Sequence, residues 1–184
     1  MSDTNPAGPT TLARLYTDIA FFRRGPEDVP FAPRVLGITV VAYMLLSLLL
    51  SSVMPVVAES RVALVLVDSA LALAWYWVVL RVAGRTERFL QTAAAIFGFQ
   101  TVLQPAFVSV TWLFLRYMKD PVWQAPVSLL LLVLAIWMLA INTRILRSAT
   151  GWGQFVCVAV VLLQSLLGRL VETSLFPEVA TPVP

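Results

Sequence analysis

Histidine is absent from the sequence, and cysteine occurs once in 184 residues. Without histidine, the chain lacks the commonest general base, the commonest metal ligand and the usual partner of a nucleophilic serine. The single thiol, Cys157, excludes an intramolecular disulfide, and its position inside an apolar run predicts a buried structural role. These absences predict a protein that is not an enzyme and has no cofactor and no metal site.

Charge is also scarce. Charged residues make up 12% of the chain and the net charge is +3, whereas an average soluble domain has about twice that charged fraction. The basic residues are spread among the predicted loops without a dense cluster, which argues against a nucleic-acid partner. The sequence also contains no G-x-S-x-G, Walker or H-E-x-x-H motif, so the commonest hydrolase, nucleotidase and zinc-protease signatures are missing.

Apolar residues dominate instead, at 59% of the chain and a mean hydropathy of +0.85. The uninterrupted runs from Ile38 to Val57 and from Val127 to Ile141 are too long and too uniform to be strands or one-sided surface helices. The sequence therefore predicts an all-α polytopic membrane helix bundle with about five transmembrane helices, whose constant partners are membrane lipids.

The predicted transmembrane domain covers residues 35–176 and is followed by a proline-rich tail, 177–184, that we expect to be disordered. Its spans are Val35 to Val57, Val62 to Leu80, Phe89 to Leu115, Val122 to Ile141 and Gln154 to Leu175. Pro105 predicts a long or kinked third helix. The cluster Trp75, Tyr76 and Trp77 is expected at the headgroup level. Arg144, Arg147 and the Gly-Trp-Gly segment at 151–153 are expected to form the last sizeable loop.

Residues 1–34 form a polar N-terminal arm. Small polar residues and prolines in positions 1–10 predict disorder. From residue 11 to 24, Leu12, Leu15, Ile19 and Phe22 recur at helical spacing, which predicts a short amphipathic helix ending at Gly25-Pro26. This helix is expected either to lie in the membrane interface or to dock on the bundle.

Lysine and arginine residues are unequally divided between the two predicted sides of the bundle. One side carries Arg14, Arg23, Arg24, Arg34, Arg81, Arg85, Arg88, Arg144 and Arg147, and the other carries Arg61, Arg116, Lys119 and Arg169. The positive-inside rule then predicts a cytoplasmic N-terminus and a C-terminus on the opposite side. The arm has no apolar signal region, so the first span is expected to serve as the insertion signal of a cell inner membrane protein.

Four polar residues inside the predicted spans are candidates for an intramembrane polar site: Asp68, Gln100, Gln104 and Gln164. A carboxylate within a span is costly unless it is paired or protonated. Asp68 could belong to an ion or proton site, or it could face the bundle or reach back to Arg61. Gln100 and Gln104 could bond a neighbouring helix or line a polar path with Asp68 and Gln164.

Arg169 and Glu172 are three residues apart near the end of the fifth span. This spacing places them on one helix face and predicts an intrahelical ion pair, which lowers the cost of both charges near lipid. A structural pair at the interface and a site of ion coupling both remain open.

Three short motifs resemble the Yip1-domain family of small multi-pass membrane proteins, in its bacterial type, over roughly Arg24 to Glu172. They are Pro30-Phe31-Ala32-Pro33, then Gly84-Arg85 with Phe89, Gly98 and Pro105, and Ile136-Trp137 with Thr150-Gly151-Trp152. The resemblance implies an interaction or membrane-organising role without a reaction. Eukaryotic members bind small GTPases or each other, but this sequence lacks their long arm and Asp-Leu-Tyr-Gly element. No functional residue of the family is carried over.

Two functional hypotheses follow. The first is a non-enzymatic interaction or scaffold protein of the Yip1-like type, with a membrane-protein partner or a second copy of itself. The alternative is a small transporter or channel component that uses the candidate polar site. Convergence of Asp68, Gln100, Gln104 and Gln164 on one cavity would favour the alternative. A membrane enzyme acting on lipid is a third possibility without a motif to support it.

Overall fold

The computed structural model describes residues 9–52 and 61–176, and every regular element in these two ranges is helical. The α-helices there are α1 Pro9–Ala20, α2 Pro33–Ser51, α3 Arg61–Val82, α4 Phe89–Tyr117, α5 Gln124–Thr150 and α6 Gln154–Leu175, and 3-10 turns at Pro26–Asp28 and Thr86–Arg88 precede α2 and α4. Helices α2 to α6 are long and apolar enough to cross a membrane. The predicted all-α bundle with five membrane-length helices is confirmed.

Consecutive membrane-length helices run in opposite directions. The starts of α2, α4 and α6 therefore lie with the ends of α3 and α5 on one side, which we call the N-terminal side because the arm enters there. The opposite side, where α6 ends, is the C-terminal side. One contact agrees with this arrangement. Ser47, in the second half of α2, is hydrogen-bonded to Gln104 in the second half of α4.

Helix α4 is the centre of the bundle. Its segment from Ala93 to Phe99 is almost completely buried, and α1, α2, α3 and α5 all pack against α4. Alanine and glycine in this segment bring neighbouring helices close to the α4 backbone. Pro105 lies inside α4 without ending it, and the helix continues to Tyr117, as expected for a long third span.

Helix α5 is longer than the sequence predicted. It continues past Ile141 to Thr150, so the expected loop is wrong at Arg144 and Arg147, and the connection to α6 is reduced to residues 151–153. Ile145 and Leu146 are buried in the core, and this packing stabilises the extra turns. Gly151 then ends the helix with a positive φ of 76°, a conformation that glycine adopts without a steric penalty.

The amphipathic helix α1 is shifted relative to its predicted limits, 11–24. It begins at Pro9, so disorder is wrong for residues 9 and 10, and it ends at Ala20. Phe22 adopts a left-handed conformation, with φ 61°, and the arginine side chain of Arg144 donates a hydrogen bond to the Phe22 carbonyl at 2.6 Å. The chain thus leaves the helix before Gly25-Pro26, at a turn that a contact distant in sequence stabilises.

The apolar face of α1 docks on the bundle, which decides between the two placements that the sequence left open. Leu12, Leu15, Tyr16, Ile19 and Ala20 are all buried. Two hydrogen bonds also hold the arm on the bundle. The indole nitrogen of Trp137 donates to the Ala20 carbonyl at 3.0 Å, and the Gln91 amide donates to the Val29 carbonyl at 2.9 Å.

Several sequence predictions lie outside the described residues. They are the disorder of residues 1–8, the end of the first span from residue 53 to 57, and the disorder of the tail 177–184.

Candidate intramembrane polar site

A polar cavity of about 350 Å³ lies inside the bundle, between α2, α3, α4, α5 and α6. Its polar lining consists of Tyr43, Asp68, Tyr76, Gln100, Asn142, Gln164, Ser165, Arg169 and Glu172. Three of the four candidates from the sequence, Asp68, Gln100 and Gln164, are therefore brought together, and the Arg169 and Glu172 pair joins them.

Asp68 faces the cavity and is held by a neighbouring helix. The phenol of Tyr43 on α2 donates a hydrogen bond to Asp68 Oδ2 at 3.2 Å. The ring of Tyr43 is itself positioned by an edge-to-face contact with Phe97 of α4, with 5.1 Å between the ring centroids, a favourable geometry for aromatic pairs. One phenol occupies only part of the hydrogen-bonding capacity of a carboxylate, so Asp68 retains acceptor sites for a ligand.

Tyr76 and Asn142 line the end of the cavity that is nearer the N-terminal side. Tyr76 is 1% exposed, and its hydroxyl donates to Asn142 Oδ1 at 3.4 Å. The Asn142 amide nitrogen donates in turn to the Met138 carbonyl at 3.1 Å. The ring of Tyr76 faces inward, whereas Trp77 is 44% exposed. The headgroup level of the Trp75, Tyr76 and Trp77 cluster stays a prediction.

Arg169 and Glu172 form an ion pair at the other end of the cavity. Arg169 Nη1 lies 3.2 Å from Glu172 Oε2, one turn along α6. The Arg169 side chain is largely exposed and the Glu172 side chain is about one-fifth exposed. Arg169 lines the same cavity as Asp68. The pair lies in the last two turns of α6, so the cavity extends from mid-bundle towards the C-terminal side.

Gln104 does not line this cavity. Its amide nitrogen donates to Ser47 Oγ on α2 at 2.5 Å, and its amide oxygen is buried without a partner among the described residues. Of the two roles considered for this residue, the geometry corresponds to a hydrogen bond between helices. Gln100, one turn earlier on α4, is the glutamine that reaches the cavity.

Sequence reasoning missed Tyr43, Tyr76 and Asn142. Tyrosine does not interrupt an apolar run strongly, and Asn142 lies one residue past the predicted end of the fourth span. The hydroxyl and amide side chains within the apolar runs are visible in the sequence. Which of them face the interior is known only once α2, α3 and α5 are packed.

The cavity lining is polar and carries a small negative formal charge. Two carboxylates and one guanidinium leave one formal negative charge, and the remaining groups are phenols, amides and a hydroxyl. No cluster of three or more metal-ligating side chains occurs in residues 9–52 and 61–176. The volume is at the lower end of the range, roughly 300–1,000 Å³, that is usual for small-molecule sites.

The fold and the cavity together define a class: an all-α bundle of five membrane-length helices around an internal polar site. Comparison with protein-family models, with curated proteins and with solved structures returns no match for this chain. The resemblance to the Yip1-domain family therefore has only the three short sequence motifs as support.

Proposed function

We propose that the protein is a multi-pass membrane protein that binds a small monovalent organic cation, such as a protonated amine, in its internal cavity and takes part in the passage of that cation across the membrane. The observation that carries this proposal is the convergence of Asp68, Gln100 and Gln164 on one cavity with the Arg169 and Glu172 pair. An ionisable residue facing a cavity within a transmembrane bundle marks a pathway for ions or substrates more often than a purely structural role.

The assignment of the ligand class follows from charge and hydrogen-bonding capacity. Arg169 is paired with Glu172 and forms no ion pair with Asp68 in the described ranges, so Asp68 is the carboxylate available to a positive ligand. Gln100 and Gln164 line the same cavity, and an amide oxygen can accept N–H donors from an ammonium group. An anionic ligand would instead approach Asp68 and Glu172 against their charge.

The asymmetry of lysine and arginine residues supports a cytoplasmic N-terminus in the cell inner membrane. The cavity then opens towards the external side, where α6 ends, and the Tyr76 and Asn142 contact separates it from the cytoplasm. Passage of a ligand requires this contact to open.

Binding is tested with the full-length protein in lipid discs, using radiolabelled methylammonium as the probe. Asp68→Asn removes the charge at nearly constant volume and is expected to lower retained methylammonium at least tenfold. Glu87→Gln, an exposed carboxylate of the 3-10 turn before α4, is the matched control and should bind as the wild type does. Absence of binding by the wild type, or equal binding by Asp68→Asn, would overturn the proposal.

Transport is tested separately in sealed proteoliposomes. Methylammonium uptake above that of empty liposomes, lost in Asp68→Asn and retained in Glu87→Gln, is the expected result. Binding without uptake would leave a receptor-like cation site and would refute the transport part of the proposal.

The interaction or scaffold function predicted from the sequence stays a prediction. The docked arm does not favour this function, because the apolar face of α1 is buried against the bundle and is not available to a partner. Mass spectrometry of the protein purified in native lipid discs, without crosslinker, would find a reproducible protein partner if that function is the main one.

A further inference from the structure

A groove of about 300 Å³ lies on the outside of the bundle, between α5 and α6 near the N-terminal side. Its lining is Ile136, Leu139, Ala140, Thr143, Arg144, Arg147, Gln154 and Val158. The groove is separate from the internal cavity, with which it shares no lining residue.

Apolar and basic residues are separated along the length of the groove. Ile136, Leu139 and Ala140 lie deeper along α5, whereas Arg144 and Arg147 lie in its last two turns. From Ile136 to Arg147 the helix rises by about 16 Å. The apolar part, from Ile136 to Ala140, accounts for about 6 Å of this rise. A groove that is apolar at one end and charged at the other has the polarity of a phospholipid acyl chain and its headgroup.

The polar end of the groove has donors without protein partners. Thr143 is 6% exposed, and its hydroxyl has no hydrogen-bond partner among the described residues, a condition that costs free energy in a buried position. The Arg147 side chain is exposed and makes no ion pair within the described ranges. Arg144 donates from Nη1 to the Phe22 carbonyl, and its other guanidinium donors remain for a ligand.

We infer that this groove binds an anionic phospholipid from the leaflet on the N-terminal side, with its phosphate between Arg144 and Arg147 and an acyl chain along Ile136, Leu139 and Ala140. Charge complementarity favours an anionic headgroup, because the described lining has two arginines and no carboxylate. The apolar walls distinguish a lipid from free phosphate, since an inorganic anion would leave them uncovered.

The test is native mass spectrometry of the full-length protein, delipidated in mild detergent and titrated with dioleoyl phosphatidylglycerol or dioleoyl phosphatidylcholine. The two lipids share their acyl chains and differ in headgroup charge. Arg147→Gln is expected to weaken phosphatidylglycerol binding about fivefold, in line with about 1 kcal/mol per basic side chain at an anionic surface. Arg85→Gln, an exposed arginine on the same side but outside the groove, is the control and should leave binding unchanged.

A second pair of variants tests the path of the acyl chain without a change of charge. Ala140→Trp fills the groove and is expected to abolish retention of phosphatidylglycerol, whereas Ala135→Trp, exposed on α5 but outside the lining, should not. Equal binding of both lipids, or equal loss in Arg147→Gln and Arg85→Gln, would refute the site. Competition by glycerol phosphate as effective as that by the lipid, unaffected by Ala140→Trp, would show a free-anion site and overturn the lipid assignment.

Discussion

The ring of Tyr16 on α1 lies directly against the backbone of Gly98 on α4. A Cβ atom placed on Gly98 would be 2.3 Å from Cδ1 of that ring, which is closer than any side chain can approach. The Tyr16 hydroxyl is bonded to Thr39 Oγ1 of α2 at 2.7 Å, so this residue connects the arm to two helices of the bundle. Helix α1 can therefore dock in this position only because Gly98 has no side chain.

Gly98→Ala is expected to release α1 and to destabilise the protein by about 1–3 kcal/mol, the usual cost of overpacking. Gly37→Ala in α2 is the matched control, since a Cβ there meets no atom within 4 Å. Limited trypsinolysis at Arg14, Arg23 and Arg24 reports release of the arm, and thermal unfolding reports stability. Equal cleavage of the two variants would show that the close contact does not control docking.

The Tyr16 hydroxyl must donate its hydrogen bond, because the Thr39 hydroxyl already donates to the Val35 carbonyl at 2.8 Å. Tyr16→Phe should therefore cost about 1 kcal/mol of unfolding free energy. Thermal unfolding in detergent measures it, with Tyr117→Phe, a residue at the far end of α4, as the control. A neutral Tyr16→Phe would mean that the bond is not formed.

Burial raises the pKa of the Tyr16 phenol above its ordinary value of 10.0. A raised pKa in the folded state means that the contribution of Tyr16 to stability is complete below about pH 10 and is lost as the pH increases through the raised value. The stability difference between the wild type and Tyr16→Phe should shrink above about pH 10. A difference that stays constant at alkaline pH would contradict this origin.

Much of the bundle could be predicted because apolar runs of sufficient length have one structural solution in a bilayer. The third span was placed within two residues, from Phe89 to Tyr117. The end of α5 could not be predicted, since Arg144 and Arg147 look like loop residues until Ile145 and Leu146 are seen to pack in the core. The end of α1 at Ala20 depends on a bond from Arg144, more than a hundred residues away.

The candidate site was partly predictable for a similar reason. Asp68, Gln100 and Gln164 stand out as polar residues within apolar runs, and their convergence follows from helix packing that the sequence does not encode locally. Gln104 stands out equally, yet it lies one turn further along α4, where it meets Ser47 of α2 instead of the cavity. Periodicity alone cannot separate two polar residues four positions apart, because they share a helix face.

The hydrogen bond between Tyr43 and Asp68 should appear as a coupling between the two side chains. In a double-mutant cycle of Tyr43→Phe and Asp68→Leu, which removes the acceptor, we expect a coupling of about 0.5–3 kcal/mol in unfolding free energy, the range for residues in direct contact. Tyr43→Phe combined with Glu87→Gln is the control cycle and should be additive. Additivity in both cycles would mean that Tyr43 does not hold Asp68.

Gln100 and Gln104 are expected to have different roles, ligand binding for Gln100 and helix packing for Gln104, and the same substitution at each position tests this difference. Gln104→Leu removes the bond to Ser47 and should lower the unfolding free energy by about 0.6 kcal/mol, the average for polar contacts between transmembrane helices. Methylammonium binding should stay at the wild-type level, because Gln104 is outside the cavity lining.

Gln100→Leu, the same substitution one turn earlier, should behave in the opposite way. It removes a polar group from the cavity and is expected to reduce methylammonium binding severalfold, while the Gln104 bond to Ser47 continues to hold α2 against α4. The two variants are compared in lipid discs at matched protein concentration. If Gln104→Leu reduced binding as much as Gln100→Leu does, the bond between α2 and α4 would itself be part of the ligand path, and the division of roles between the two glutamines would be wrong.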